Sequence, residues 1–289
     1  MGNITGHTRL YGLIGSPVDH SGSPAMHNYS FDRTGTDAAY LAFEVPLEKL
    51  EDGIKALRTL HVGGFNVTMP DKTAVTKYLD ELTPAARLIG ACNTVTADEN
   101  GKLTGHNTDG LGFVRNLKEH GISVKGQKIT LLGAGGAATA IAVQTALDGA
   151  SELHLFNWDD EFYANAELTQ KKITEAVPGC RVTVGKLEDA EALKAAIAES
   201  TILVNATRVG MPPLDGQSLI PTEFLRKDLI VADTVYNPRE TKLILDAQAA
   251  GCKAAIGGIG MLLWQGAEAF HLFTGKEMPT QEVMEKFFS

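Results

Sequence analysis

The chain has 289 residues, 44% of them hydrophobic and 21% charged, with 30 glycines and a formal net charge of −9 at pH 7. That balance is ordinary for a folded α/β protein and unlike a disordered or fibrous one. The acidity, with no lysine- or arginine-rich run, disfavours nucleic acid and anionic membrane surfaces as partners. Period-two and period-3.6 patterning predicts strands over 9–15 and 39–45 and helices over 23–34 and 46–61. A third strand follows over 63–68, then a helix over 72–78. A strand pair over 91–97 and 102–105 closes on the Asp98-Glu99-Asn100-Gly101 turn. From about residue 109 the alternation becomes regular: a helix to 121, a strand at 128–132, a glycine turn, a helix at 137–149, a strand at 152–157, and so on to a strand at 230–233. Such alternation specifies right-handed crossovers and a parallel sheet. The tail after Gly260 reads as helical.

The length suits two domains, each with its own core. The longest nearly apolar stretch, 254–264, is broken by glycines and is far shorter than the roughly 20 residues of a membrane span. The amino terminus lacks the apolar core of a secretory signal, and Gly2 alone is a poor lipid-anchor signal, so a cytoplasmic location is expected. Cys92, Cys180 and Cys252 are odd in number and far apart, which points to reduced structural cysteines. His20, flanking the serines of its turn, reads as a structural hydrogen-bonding residue and not as the catalyst; His27, His61, His106 and His154 have no metal-like spacing with carboxylates or cysteines, and no metal is expected.

Residues 129–138, Ile-Thr-Leu-Leu-Gly-Ala-Gly-Gly-Ala-Ala, run from an apolar strand through a glycine turn into an alanine-rich helix. The Gly133-x-Gly135-x-x-Ala138 pattern suits a dinucleotide pyrophosphate: Gly133 permits the tight turn, Gly135 lets the backbone approach the ligand, and the helix start attracts negative charge. Gly133, Ala134, Gly135, Gly136 and Ala137 are therefore the expected cradle. The next strand ends in Asn157-Trp158-Asp159-Asp160, about 20 residues on, where a carboxylate can accept hydrogen bonds from both ribose hydroxyls. Two acids at that position would repel the 2′-phosphate of NADP, and no arginine stands in 157–162 to offset them. NAD is accordingly the expected cofactor, with NADP second. The alternative for Asp159 and Asp160 is a turn or helix-cap role.

Upstream, Asn66-Val-Thr-Met-Pro-Asp-Lys72 places Asn66 and Thr68 on one side of an extended chain before a stiff proline turn. By itself Lys72 reads as a solvated charge. Several further motifs accompany it: His20-Ser-Gly-Ser-Pro24, Cys92-Asn-Thr94, Asn107-Thr-Asp-Gly110, Asn205-Ala-Thr-Arg-Val-Gly-Met211, Val235-Tyr-Asn-Pro238 and Gly260-Met-Leu-Leu-Trp-Gln-Gly-Ala-Glu268. In order and spacing these resemble the shikimate dehydrogenase family over nearly the whole chain. The acids of 157–162 resemble its NAD-preferring quinate/shikimate branch, whose ribose-binding aspartate aligns with Asp160.

The resemblance implies an α/β fold with an N-terminal substrate-binding domain, residues 1–109, completed by C-terminal helices 256–289. A Rossmann-type doubly wound parallel-sheet domain for NAD would occupy 110–255, with the active site in the cleft between the two. It implies reversible oxidation of a ring hydroxyl of shikimate or quinate, a small anionic cyclic polyol, as a step of aromatic amino acid biosynthesis. Lys72 and Asp109 would form the catalytic pair. Ser21 and Ser23 would hold the substrate carboxylate, with Tyr236 assisting, while Asn66, Thr68, Asn93, Asp109 and Gln265 bind ring hydroxyls. Arg208, Val235 and Gly258 would line the nicotinamide half of the cofactor. Gly22 departs from the family pattern, which has a larger residue there, and gives its loop more backbone freedom. A homodimer is compatible with these features. The competing readings are an NADP-dependent enzyme and a non-catalytic NAD-binding sensor of the same fold. Hydrolase and kinase readings lack a Gly-x-Ser-x-Gly elbow and a Gly-Lys-Ser/Thr phosphate loop.

Overall fold

A computed structural model describes residues 4–288, so Gly2 lies outside the described residues. The chain forms two compact units, one running to Thr108 and resuming at Leu263, the other spanning Asp109–Leu262.

The first unit contains β1 (Arg9–Gly15), α1 (Ser23–Thr34), β2 (Ala38–Glu44), α2 (Leu50–Thr59), β3 (Gly64–Val67), β4 (Glu81–Leu82), α3 (Pro84–Ile89), β5 (Thr94–Ala97) and β6 (Leu103–His106). Its six-stranded sheet has the order β2-β1-β3-β5-β6-β4. β5 runs antiparallel to both β3 and β6, and the other pairings are parallel. Along β1, Tyr11 and Leu13 enter one apolar cluster with Phe31, Tyr40, Phe270 and Phe273, while Ile14 enters a second with Ile54, Phe65, Val95 and Leu103. Period-two alternation thus buries both faces of this strand.

Two helices differ from expectation. The segment 46–61 divides into a 3-10 turn, Leu47–Lys49, and α2. The segment 72–78 is a turn followed by a 3-10 helix, Ala74–Tyr78; Thr73, Val75 and Thr76 are β-branched, which lowers helix propensity there. α3 was not anticipated, although its signals are local. Thr83 Oγ1 accepts from Ala86 N at 3.3 Å, Pro84 opens the helix, and Gly90 closes it at φ 78°.

In the second unit come α4 (Thr108–Glu119, its first residue belonging to the first unit), β7 (Lys128–Leu132), α5 (Gly136–Leu147), β8 (Glu152–Asn157), α6 (Tyr163–Ala176), β9 (Arg181–Lys186), α7 (Ala190–Glu199), β10 (Ile202–Asn205), β11 (Ile230–Asp233), α8 (Lys242–Ala249) and β12 (Ala254–Ile256). All strands are parallel, in the order β12-β11-β10-β7-β8-β9. Every residue of β8, β10 and β11 is buried, as expected of strands covered on both faces. The order reverses direction between β7 and β10, the doubly wound arrangement. Gly110 explains how α4 lies on α5: a Cβ there would stand 2.5 Å from the Ala140 carbonyl oxygen. The chain leaves this unit within α9 (Ile259–Thr274) and ends with α10 (Thr280–Phe287). No helix among the described residues is long and apolar enough to cross a membrane.

Candidate active site

The glycine turn between β7 and α5 is built for a ligand on one side and for packing on the other. Gly133 has φ 110°, and a Cβ would lie 2.8 Å from the Ala206 carbonyl oxygen, so only glycine fits. Around Gly135 and Gly136, by contrast, no atom lies within 4 Å of a built Cβ. Ala134 is buried, Ala137 partly so, and Ala138 is buried beneath the helix. α5 begins at Gly135 with no side-chain cap. Its first-turn N–H groups are thus offered to an anion in open space, which fits the pyrophosphate of a dinucleotide.

Beside the turn, β8 delivers Asn157, Asp159 and Asp160. Asp160 Oδ1 accepts from Asn157 Nδ2 at 2.8 Å and from the Phe162 N–H at 2.9 Å. Asp159 is ion-paired with Lys186 at the end of β9, Nζ to Oδ2 2.7 Å. The pair is brought together by the parallel register, in which Asn157 stands opposite Lys186.

On the other side of the strand-order reversal, Asn205 ends β10 and Asp233 ends β11. Asn205 Nδ2 donates to Asp233 Oδ1 at 2.9 Å and to the Val209 carbonyl at 3.0 Å. Asp233 also accepts from the Val235 N–H at 2.9 Å and from Thr241 Oγ1 at 2.6 Å. Burial raises the Asp233 pKa, and the hydrogen bonds from Thr241, Val235 and Asn205 oppose that rise. This network fixes the two loops that carry the expected nicotinamide contacts. Arg208 projects from the first loop and is exposed, Val235 is buried in the second, and Tyr236 is 51% exposed. Gly258 has no room for a side chain, since a Cβ would meet the Thr234 carbonyl at 2.3 Å.

The first unit holds most of the expected substrate contacts. Ser21 and Ser23 sit at the start of α1, with Ser23 N–H donating to Ser21 Oγ at 3.2 Å and no side chain capping the helix. Gly22 between them has an ordinary φ of −77° and open space around it, so nothing in the fold requires glycine there. Asn66 on β3 is buried; its carbonyl accepts from Tyr40 Oη at 2.7 Å, and its amide donates to the Asn93 carbonyl and to Thr94 Oγ1 at 3.1 and 2.9 Å. Both amide hydrogens are used, which leaves one carbonyl lone pair for a hydroxyl donor. Asn93 Oδ1 accepts from the Thr108 N–H at 2.7 Å, and Asn93 Nδ2 donates to Thr108 Oγ1 at 3.0 Å. These bonds pin the residue just before Asp109. Thr68 and Lys72 are half-buried in the turn after β3, and the Lys72 carbonyl accepts from the Cys92 N–H at 2.8 Å. Between them Asp71 is fully buried, with neither carboxylate oxygen hydrogen-bonded. Gln265 lies on α9, half-buried, in the first unit, whereas Asp109 opens the second.

Tyr40, Thr94, Thr108, Asp233 and Lys186 were not singled out from the sequence. Asp233 carried a usable signal, because it ends an apolar strand as Asn157 and Asn205 do, at the edge where ligands of open α/β sheets bind. Also brought together by the fold are Glu152, His154 and Glu199, whose ligand-type atoms lie within 4.8 Å of one another. The cluster already holds two cations. Lys128 Nζ lies 3.2 Å from Glu152 and 3.6 Å from Glu199, and Arg181 is paired with Glu152. Burial lowers the pKa of His154, whose Nδ1 is within hydrogen-bond distance, 2.8 Å, of Thr183 Oγ1. The arrangement is an ion-pair network at the opposite strand ends from the glycine turn.

Comparison with known proteins identifies the family. A family profile for the shikimate dehydrogenase substrate binding domain matches residues 13–95, and one for the shikimate 5′-dehydrogenase C-terminal domain matches residues 258–286. The chain is 51% identical over 286 residues to a shikimate dehydrogenase (NADP(+)) of Listeria monocytogenes, covering 99% of this chain and 97% of that protein. It is 52% identical over 288 residues to that of Streptococcus uberis, with the same coverage. A crystal structure of the Listeria monocytogenes shikimate 5-dehydrogenase in complex with shikimate and NAD superposes with a TM-score of 0.95, at 51% identity over 99% of this chain and 98% of that one.

These relatives correct one expectation. NAD was expected as the cofactor, whereas the curated relatives at 51–52% identity are named for NADP(+). The acids on which NAD was argued are engaged within the fold. Asp159 is ion-paired with Lys186, and Asp160 accepts hydrogen bonds from Asn157 and Phe162 within its own turn. Residues 157–162 contain no lysine or arginine, and the lysine paired with Asp159 belongs to the adjacent strand, β9.

Proposed function

Because the chain belongs to the shikimate dehydrogenase family, whose members are alcohol oxidoreductases, we propose that it catalyses the reversible NADP-dependent oxidation of shikimate to its 3-dehydro ketone. The observation that carries this reading is 51% identity along 99% of the chain to an enzyme of that name. The glycine turn, Lys72 and Asp109 all stand in the motifs that define the resemblance.

Oxidising a secondary alcohol removes a hydride from carbon and a proton from oxygen. NADP supplies the nicotinamide that accepts the hydride. Its pyrophosphate would be held by the N–H groups of Gly133 to Ala137, with Arg208, Val235 and Gly258 toward the nicotinamide. The protein's own task is the proton. Lys72 would stabilise the developing alkoxide and, in the reverse direction, donate to the ketone oxygen, and the resemblance names Asp109 as the second member of the catalytic pair. Ser21 and Ser23 take the substrate carboxylate. They stand at the uncapped start of α1, where the helix dipole favours an anion. Asn66 offers its remaining lone pair to a ring hydroxyl, alongside Thr68, Asn93 and Gln265, and Tyr40 holds Asn66 in place. The resemblance gives Tyr236 a share in gripping the substrate carboxylate.

Lys72→Ala tests the assignment. With shikimate and NADP, turnover is expected to fall at least about 100-fold, the usual worth of a positioned proton-transfer group. NADP affinity should stay close to that of the wild type. A rate within a few-fold of wild type contradicts the role.

A further inference from the structure

We infer that Lys186 is the group that recognises the 2′-phosphate of the cofactor, and that Asp159 occupies its ammonium until the phosphate takes its place. The inference rests on NADP being the cofactor, as proposed above, and adds the residue that selects it.

The position follows from register. β7, β8 and β9 are adjacent and parallel, with Leu132 opposite Phe156 and Asn157 opposite Lys186. The glycine turn, the 157–162 loop and Lys186 therefore emerge side by side from the carboxyl ends of three neighbouring strands. The adenosine ribose of a dinucleotide seated on such a turn lies beyond the second of them, where a 2′-phosphate needs a cation. Lys186 does not point away into solvent. Its ammonium is 2.7 Å from Asp159 Oδ2 and 5.7 Å from the centre of the Tyr163 ring, over the loop itself. Lys186 and Asp159 remain reachable, at 47% and 62% side-chain exposure. Exposed ion pairs of this kind contribute little to stability. A phosphate dianion carries more charge than the carboxylate and makes stronger charge-assisted hydrogen bonds, so it can displace it. Trp158, Asp159, Asp160 and Glu161 offer no competing cation in the loop.

Binding of cofactor fragments tests this without turnover. Calorimetric titration with adenosine 2′,5′-bisphosphate and with adenosine 5′-monophosphate gives a ratio of dissociation constants that isolates the 2′-phosphate. Wild type is expected to prefer the bisphosphate by about tenfold, close to 1.4 kcal/mol. Lys186→Met, which keeps the aliphatic stem on the Tyr163 ring, should bring the ratio to within twofold of unity. Asp159→Asn should raise the preference several-fold by releasing the ammonium, and Lys171→Ala, an exposed lysine of α6, should leave it unchanged. If Lys186→Met retains the tenfold preference, or Asp159→Asn fails to raise it, the assignment of Lys186 is overturned while the NADP reading stands. If wild type shows no preference for the bisphosphate, the NADP reading falls and this inference with it.

Discussion

His27 lies in the apolar core of the first unit, its ring stacked on Tyr40 at 4.5 Å and its Nδ1 without a hydrogen-bond partner. Burial lowers its pKa to about 3. The folded state holds the imidazole neutral, while the unfolded chain takes up a proton near pH 6.5. Stability is therefore lost as pH falls from 6.5 toward 3, at no more than about 1.4 kcal/mol per pH unit. In thermal unfolding, wild type should lose melting temperature more steeply between pH 6.5 and 4 than His27→Phe; parallel profiles would contradict this. Asp71 has the opposite sign. Burial raises its pKa, and Glu48 adds to the rise. The stability it contributes is present below the ordinary carboxylate value and is lost as pH rises through the folded one. Asp71→Asn should therefore gain on wild type as pH rises from 4 to 7, because the amide carries no charge to bury. A gap that does not change with pH would exclude it. Neither environment was legible in the sequence, because burial is decided by residues far along the chain, Phe270 and Phe273 in the case of His27.

Among the elements, legibility followed the range of the interactions that decide them. β7, β8 and β11 were read at the bounds the structure gives, since each is an apolar run closed by turn residues. The 3-10 helix after Lys72 was read as an ordinary helix, because period alone does not register the β-branched residues that tighten it. The cofactor expectation weighed charge in the same local way. Charge was weighed along the 157–162 segment, whereas the group that answers Asp159 comes across the sheet from β9. The glycine turn allows a sharper test, because its glycines serve different ends. Gly133→Ala places a methyl against the Ala206 carbonyl at positive φ and should cost on the order of 1–3 kcal/mol in denaturant unfolding. Gly135 has an ordinary φ of −76° and empty surroundings. Gly135→Ala should unfold within about 1 kcal/mol of wild type and yet bind NADP at least about tenfold more weakly. Equal losses of stability in the two variants would show that the open side of the turn is not a ligand site.

For the whole molecule, the proposed function requires the chain to hold an anionic substrate and an anionic cofactor while carrying a net charge of −9. On the proposed function the local devices for this are the uncapped starts of α1 and α5 and single cations at Lys72 and Arg208. The motifs around these positions made the family legible from sequence, because each places a small set of residue types at fixed separations. What they did not reveal is the second layer, Tyr40 behind Asn66 and Asp233 behind the loops after β10 and β11, which pairs residues 26 and 28 positions apart. The central claim, oxidation of shikimate with NADP, is tested most directly by steady-state rates for shikimate and quinate, each with NADP and NAD. The account predicts that shikimate with NADP gives the highest kcat/KM of the four combinations. Absence of NADPH formation from shikimate, or a higher kcat/KM with NAD, would contradict it.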